Sequence, residues 1–138
     1  MNTTTTALTA TAITGPARLD FLPKLFNEQS YFHGERAVFE WMRRLCQDYN
    51  GGYWEYYKVS NGAYFMAPHR PEPMRLQWAL NWSDETVSPM AAGIVATLFG
   101  IYQILESFPD DELAERYRLL CQYAYELPEH RSIMRLID

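Results

Sequence analysis

The stretch Ser88–Leu105, SPMAAGIVATLFGIYQIL, carries no charged residue, and it constrains the fold more than any other segment of the chain. Ser88 is a suitable N-cap, and Pro89 suits the first helical position, where its missing N–H leaves no bond unmade. Met90, Ile94, Val95, Leu98, Phe99, Ile101, Tyr102, Ile104 and Leu105 would fall on nearly every side of such a helix. A helix apolar all round lies inside a domain or spans a membrane. Here Ser88, Gly93, Thr97, Gly100 and Gln103 dilute the run, and a span needs roughly 20 predominantly apolar residues. The segments before it read as amphipathic strands that need a partner to cover them. The stretch is therefore read as the central core helix of a domain, with no membrane association. Gly93 and Gly100 lower its helix propensity, and they would let another backbone, such as that of a sheet, approach closely.

Those strands lie just upstream. Tyr53–Val59 (YWEYYKV) and Ala63–Ala67 (AYFMA) flank Ser60-Asn61-Gly62, and aromatic or β-branched runs around an Asn-Gly signal read as a hairpin. Pro68–Pro73 is a stiff connector, because its prolines cannot sit in a central strand. Met74–Trp82 then alternates: Met74, Leu76, Trp78, Leu80 and Trp82 share one face, and Arg75, Gln77, Ala79 and Asn81 the other. That predicts a half-buried antiparallel strand with a polar outer face. Ser83–Val87 reads as a lead into the central helix.

Helical spacing covers most of the remainder. Val38, Trp41, Met42, Leu45 and Tyr49 predict a helix over Gly34–Tyr49, stopped by Asn50-Gly51-Gly52. Pro16–Phe26 reads as short helical pieces lying over the core, with Leu19, Phe21, Leu22, Leu25 and Phe26 as anchors. Phe108-Pro109 ends the central helix. Asp110, Asp111 and Glu112 then place negative charge at the start of a helix over Glu112–Leu127, where it favours the helix dipole. A last short helix is expected over Glu129–Ile137. Residues 1–16, rich in Thr, are expected to be a disordered tail, with one domain over 17–138. The predicted fold class is α+β: a small antiparallel sheet of about three or four strands, packed by several helices around the central one.

Catalytic and metal-binding signatures are sparse. His33, His69 and His130 form no metal spacing with one another or with Cys46 and Cys121. There is no Walker A loop, no GxGxxG, no HExxH and no nucleophile elbow. No cofactor is expected, and the two cysteines are read as reduced thiols of a cytoplasmic protein. The balance of 17 acids against 12 bases disfavours a broad phosphate-binding surface, yet a net charge of -5 is too small for convincing mimicry of DNA. One feature keeps nucleic acid open: Tyr53, Trp54, Tyr56, Tyr57, Tyr64 and Phe65 on adjacent strands could stack bases, with Lys58, Arg70 and Arg75 near the backbone. The same rings could equally serve the core.

The order and spacing of several motifs resemble the plasmid antirestriction family of the ArdB/KlcA type. They are Phe21-Leu22-Pro23; Tyr49-Asn50-Gly51-Gly52-Tyr53-Trp54 with Tyr57; and Asn61-Gly62 leading into Tyr64-Phe65-Met66-Ala67-Pro68. Leu80-Asn81, the Ser88–Leu105 helix and Tyr117 to Asp138 continue the resemblance, which leaves out the Thr-rich tail. Asn27 and Ala63 stand where glycine is expected in relatives. The resemblance implies a small cytoplasmic protein carried on mobile DNA that protects incoming DNA from host type I restriction enzymes. It implies no catalytic residues and an indirect mechanism in place of DNA mimicry. The partner would be the type I restriction complex or an accessory host protein. Exposed polar or rigid positions beside the core nominate the contact residues: Arg75, Gln77 and Asn81 on the outer strand face, His69 and Arg70 in the Pro-rich loop, and Asp138. A single-strand-binding module using the aromatic sheet face is the alternative.

Overall fold

The computed structural model describes residues 7–138. An edge strand, β1 (Ala10–Ile13), leads through a 3-10 turn over Gly15–Asp20 into α1 (Phe21–Leu25) and α2 (Tyr31–Leu45). A first hairpin follows, β2 (Trp54–Val59) and β3 (Tyr64–Pro68), then a second, β4 (Met74–Trp78) and β5 (Ser83–Val87). Three helices complete the chain: α3 (Pro89–Ser107), α4 (Asp111–Tyr125) and α5 (His130–Ile137). The class is α+β in a single domain, as expected, but the strands form two sheets, one ordered β1-β2-β3 and the other β4-β5.

Helix α3 is the central element. The Ser88 side chain accepts from the Ala91 N–H, and Pro89 opens the first turn. The helix is long and apolar enough to cross a membrane, but 61% of its apolar window is buried inside the fold. Both glycines admit neighbours. A Cβ on Gly93 would fall 2.4 Å from Ala67 Cα and from the Met66 carbonyl oxygen, so this turn lies directly against the β3 backbone. A Cβ on Gly100 would meet Val38 of α2. Between them, buried Thr97 uses its hydroxyl twice on β3, donating to the Met66 carbonyl and accepting from the Met66 N–H, each at 3.3 Å. These two backbone groups point away from β2. Helix α3 thus covers the free edge of the sheet and satisfies part of its hydrogen bonding, which an uncovered edge would leave open to other strands.

Three expectations change. The Thr-rich segment is not a tail up to residue 16, because Ala10–Ile13 pairs antiparallel with β2, Ala10 opposite Val59 and Ile13 opposite Tyr56. Alternation of small and β-branched residues suits such an edge strand, and residues 1–6 lie outside the described residues. Helix α2 starts at Tyr31, ahead of Gly34, because Asn27 Oδ1 accepts from the Gln29 and Ser30 N–H groups and sets the entry turn. It ends at Leu45, since Cys46 is extended, and Tyr49 folds back so that its hydroxyl accepts from Trp54 Nε1 at 2.8 Å. The third change is in β4. Met74 and Leu76 are buried as alternation requires, but the strand stops at Trp78 and turns through a 3-10 segment at Ala79–Asn81. Leu80 and Trp82, expected on the buried face, are 81% and 91% exposed, and Leu19 is exposed as well. The lead-in Ser83–Val87 is the returning strand, with Trp78 opposite Ser83 and Met74 opposite Val87.

The acidic start of α4 behaves as a cap: Asp110 Oδ1 accepts from the Leu113 N–H at 3.1 Å. Asp110 Oδ2 also accepts from Asn27 Nδ2 at 2.8 Å, which ties the entry of α2 to that of α4. The Leu113 and Asn27 bonds hold the Asp110 carboxyl below the usual carboxylate range.

Candidate partner-contact surface

The outer face of β4-β5 is built from exposed side chains that alternate with the buried Met74, Leu76 and Val87. Arg75 reaches diagonally across the hairpin to Asp84, with Nε donating to Oδ1 at 2.9 Å and Nη2 to Oδ2 at 2.6 Å. Gln77 lies directly opposite Asp84 and approaches Oδ2 at 3.5 Å. The Arg75 bond draws the Asp84 carboxyl below its ordinary range. Both partners are exposed, so the pair fixes the arrangement of charge more than it stabilises the fold.

Asn81 sits at the turn and has a positioning role. Its amide donates to the Arg135 and Leu136 carbonyls at the end of α5, at 3.1 and 3.0 Å. Its Oδ1 accepts from the Ser83 N–H and hydroxyl. Those bonds clasp the hairpin tip to α5 and engage the whole side-chain amide internally. Arg135 Nη1 lies 3.5 Å from Glu85 Oε1, adding a second link. Asn81, Trp82, Ser83, Asp84, Glu85, Arg135 and Asp138 line an open groove of about 540 Å3.

His69 and Arg70 belong elsewhere. They follow β3 and lie beyond the Met74 end of β4, with about 13 Å of strand between them and the tip. His69 Nδ1 is 3.1 Å from Glu55 Oε1, and the Tyr57 hydroxyl donates to Glu55 Oε2. The Tyr57 bond holds the Glu55 carboxyl low, while burial, aided by Glu55, pushes the Tyr57 hydroxyl up to about 12. Arg70 is largely covered, 3.6 Å from Glu72, and its Nε is buried without a hydrogen-bond partner. Of the six nominated residues, the fold therefore groups Arg75, Gln77, Asn81 and Asp138 with one hairpin and its flanking helix, and it sets His69 and Arg70 apart. Sequence reasoning missed Leu80, Trp82, Asp84, Glu85 and Arg135. The available signal was Asn81-Trp82-Ser83, where an Asn followed two residues later by Ser is a turn-forming pair.

The aromatic platform is largely consumed by packing. Trp54 and Phe65 are buried. Tyr56 stacks on Phe21 at 4.1 Å between centroids, Tyr57 on Phe65 at 4.8 Å, and Tyr64 meets Phe21 edge-on. Among the six candidate rings only Tyr53 is exposed, and the Arg18 guanidinium lies 4.8 Å from its centroid. Among the described residues, no group of three His, Cys, Asp or Glu is placed to hold a metal ion.

Fold and surface together define a small α+β protein organised on one buried helix, with a charge-paired hairpin as its most elaborated polar face. Comparison with known proteins gives the family. The family described as "Antirestriction protein" matches residues 47–138. Antirestriction protein KlcA of Escherichia coli is 39% identical over 142 residues, covering all of both chains. The uncharacterized protein YafX of Escherichia coli K12 is 36% identical over 134 residues, covering 95% of this chain and 88% of its own. A solved structure matches with a TM-score of 0.88 and 41% identity over the whole of both chains. It comes from a description of KlcA and ArdB as having a novel fold and antirestriction activity against type I DNA restriction systems in vivo but not in vitro. The chain belongs to the antirestriction protein family.

Proposed function

We propose that this protein acts in the cytoplasm to protect incoming plasmid or phage DNA from type I restriction enzymes of the host. It does so without catalysis, through contact with the restriction complex or an accessory host protein. The observation that carries this reading is the full-length match, at 41% identity and TM-score 0.88, to proteins whose activity is described in vivo but not in vitro. Activity that needs the cell supports an indirect route. Charge supports the same view against DNA mimicry. A duplex presents one charge about every 1.7 Å along its axis. Here Glu72, Asp84, Glu85, Glu112 and Glu115 are each paired with an arginine, which leaves fewer free carboxylates to imitate such a row. The single-strand-binding alternative draws no support from the packed rings on β2 and β3. The contact surface comprises Arg75, Gln77 and Asp138, with Asn81 holding the hairpin tip against α5, and with His69 and Arg70 as a second patch.

Transfer of an unmodified plasmid into hosts carrying a type I or a type II system tests the proposal, with and without prior expression of this protein. Recovery in the type I host alone is the expected result. Equal losses with and without soluble protein in the type I host would refute it.

A further inference from the structure

The tip of the β4-β5 hairpin carries a feature that the fold does not use. Trp82 has a left-handed backbone, φ 59°, and is the one non-glycine residue with positive φ among those described. Glycine or asparagine takes that conformation readily, whereas a bulky side chain there is strained. Yet the indole is 91% exposed and gains little from packing, and Leu80 beside it on the same tip is 81% exposed. Asn81, clasped to α5, holds the two in place. Trp82 also borders a second groove, of about 500 Å3, with an apolar floor of Leu45, Trp78 and Ala79. A rigidly presented indole between two grooves has the form of an interface anchor, since tryptophan is enriched among the few residues that dominate binding energy.

We infer that Trp82 and Leu80 dock this protein onto a protein partner bearing an apolar pocket rimmed by lysine or arginine. The partner's place in type I restriction rests on the function proposed above. Charge selects this occupant. On the α5 side of the tip, Asp138 has no ion-pair partner among the described residues, while Glu85 is largely covered and paired with Arg135. The guanidinium groups of Arg75 and Arg135 are paired with Asp84 and Glu85, and Arg44 lies over the Trp41 ring at 5.0 Å. A nucleic acid would find few free cations there for its phosphates. A second copy docking through the same tip would bring two unpaired Asp138 carboxylates together.

The test places the photocrosslinker p-benzoyl-phenylalanine at position 82 in cells carrying a type I system, and measures phage protection by the W82N variant in parallel. Asparagine tolerates the left-handed backbone, so W82N should keep its melting temperature within about 2 °C of the parent. The expected result has three parts. The crosslink maps to a lysine- or arginine-flanked peptide of another protein. L80D lowers its yield about tenfold. Folded W82N loses protection. Crosslinks only to DNA or to a second copy, or no crosslink, would overturn the inference, as would full protection by W82N. Failure of the parent protein to protect, with the crosslink still formed, would count against the proposed function and leave the docking surface standing.

Discussion

Gly93→Ala is the sharpest test of how α3 organises the fold. The added Cβ would fall 2.4 Å from Ala67 Cα, Ala67 Cβ and the Met66 carbonyl oxygen, none of which can rotate away. Carbon atoms pack at about 3.5–4.0 Å, so helix and strand must part by roughly 1 Å. Overpacking of this kind costs about 1–3 kcal/mol, and three contacts with fixed atoms argue for the upper end. Alanine returns about 1 kcal/mol of helix propensity. The net loss is about 2 kcal/mol, rising if the paired Thr97–Met66 bonds stretch. For a domain of this size it would lower the melting temperature by about 6–10 °C. Gly100→Ala is the internal control. Its closest contact, at 2.7 Å, is to a Val38 methyl, and the backbone atoms there lie at 3.3 and 3.4 Å. Val38 is buried and β-branched and cannot swing aside freely, so this variant should also lose stability, but less than Gly93→Ala. Thermal and urea unfolding of both variants measure the difference. A Gly93→Ala variant as stable as the parent would refute the close approach of α3 to the sheet edge.

Thr97→Val keeps the volume but strips the Met66 N–H and carbonyl of their partner, and should cost about 1–3 kcal/mol in urea unfolding. Asp110→Ala removes the α4 cap and should cost about 1 kcal/mol at neutral pH. Because the folded-state pKa of Asp110 is depressed, that stabilisation is present above the ordinary value of 3.8 and lost as pH falls through the folded one, so the gap between variant and parent should close in acid. Tyr57 has the opposite sign. Its hydroxyl is raised to about 12 from 10.0, so the unfolded chain sheds the proton first, and stability should decline as pH climbs through that interval. Tyr57→Phe should flatten the decline, as followed by unfolding at stepped alkaline pH. Arg75→Ala should change stability by no more than about 0.5 kcal/mol, because its ion pair with Asp84 is exposed.

Signals confined to one element were legible in the sequence. The uncharged run at Ser88–Leu105 marked α3, and its two glycines marked the sites of close approach. Asn61-Gly62 marked the first hairpin, where Asn61 Oδ1 accepts from the Ala63 N–H. What could not be read were features fixed by distant partners. Alternation over Met74–Trp82 is unbroken as a pattern and outweighs the weak local turn signal of Asn81 and Ser83, while the bonds that clasp the turn run to α5, some 55 residues away in the chain. Strand β1 depends on the unfilled edge of β2, which no local propensity reports. The split between the two groups of candidate contact residues likewise follows from the direction of β4. Trp82 was misplaced because its hydrophobicity was read as burial, whereas its backbone conformation sets it in solvent.

Protection against type I restriction is read from the plating efficiency of unmodified phage. Cells with an active type I system are compared with and without this protein, whose solubility is confirmed in the same cells. Plating should rise toward the level of a restriction-deficient host. Unchanged plating in the presence of soluble, folded protein would contradict the proposed protection.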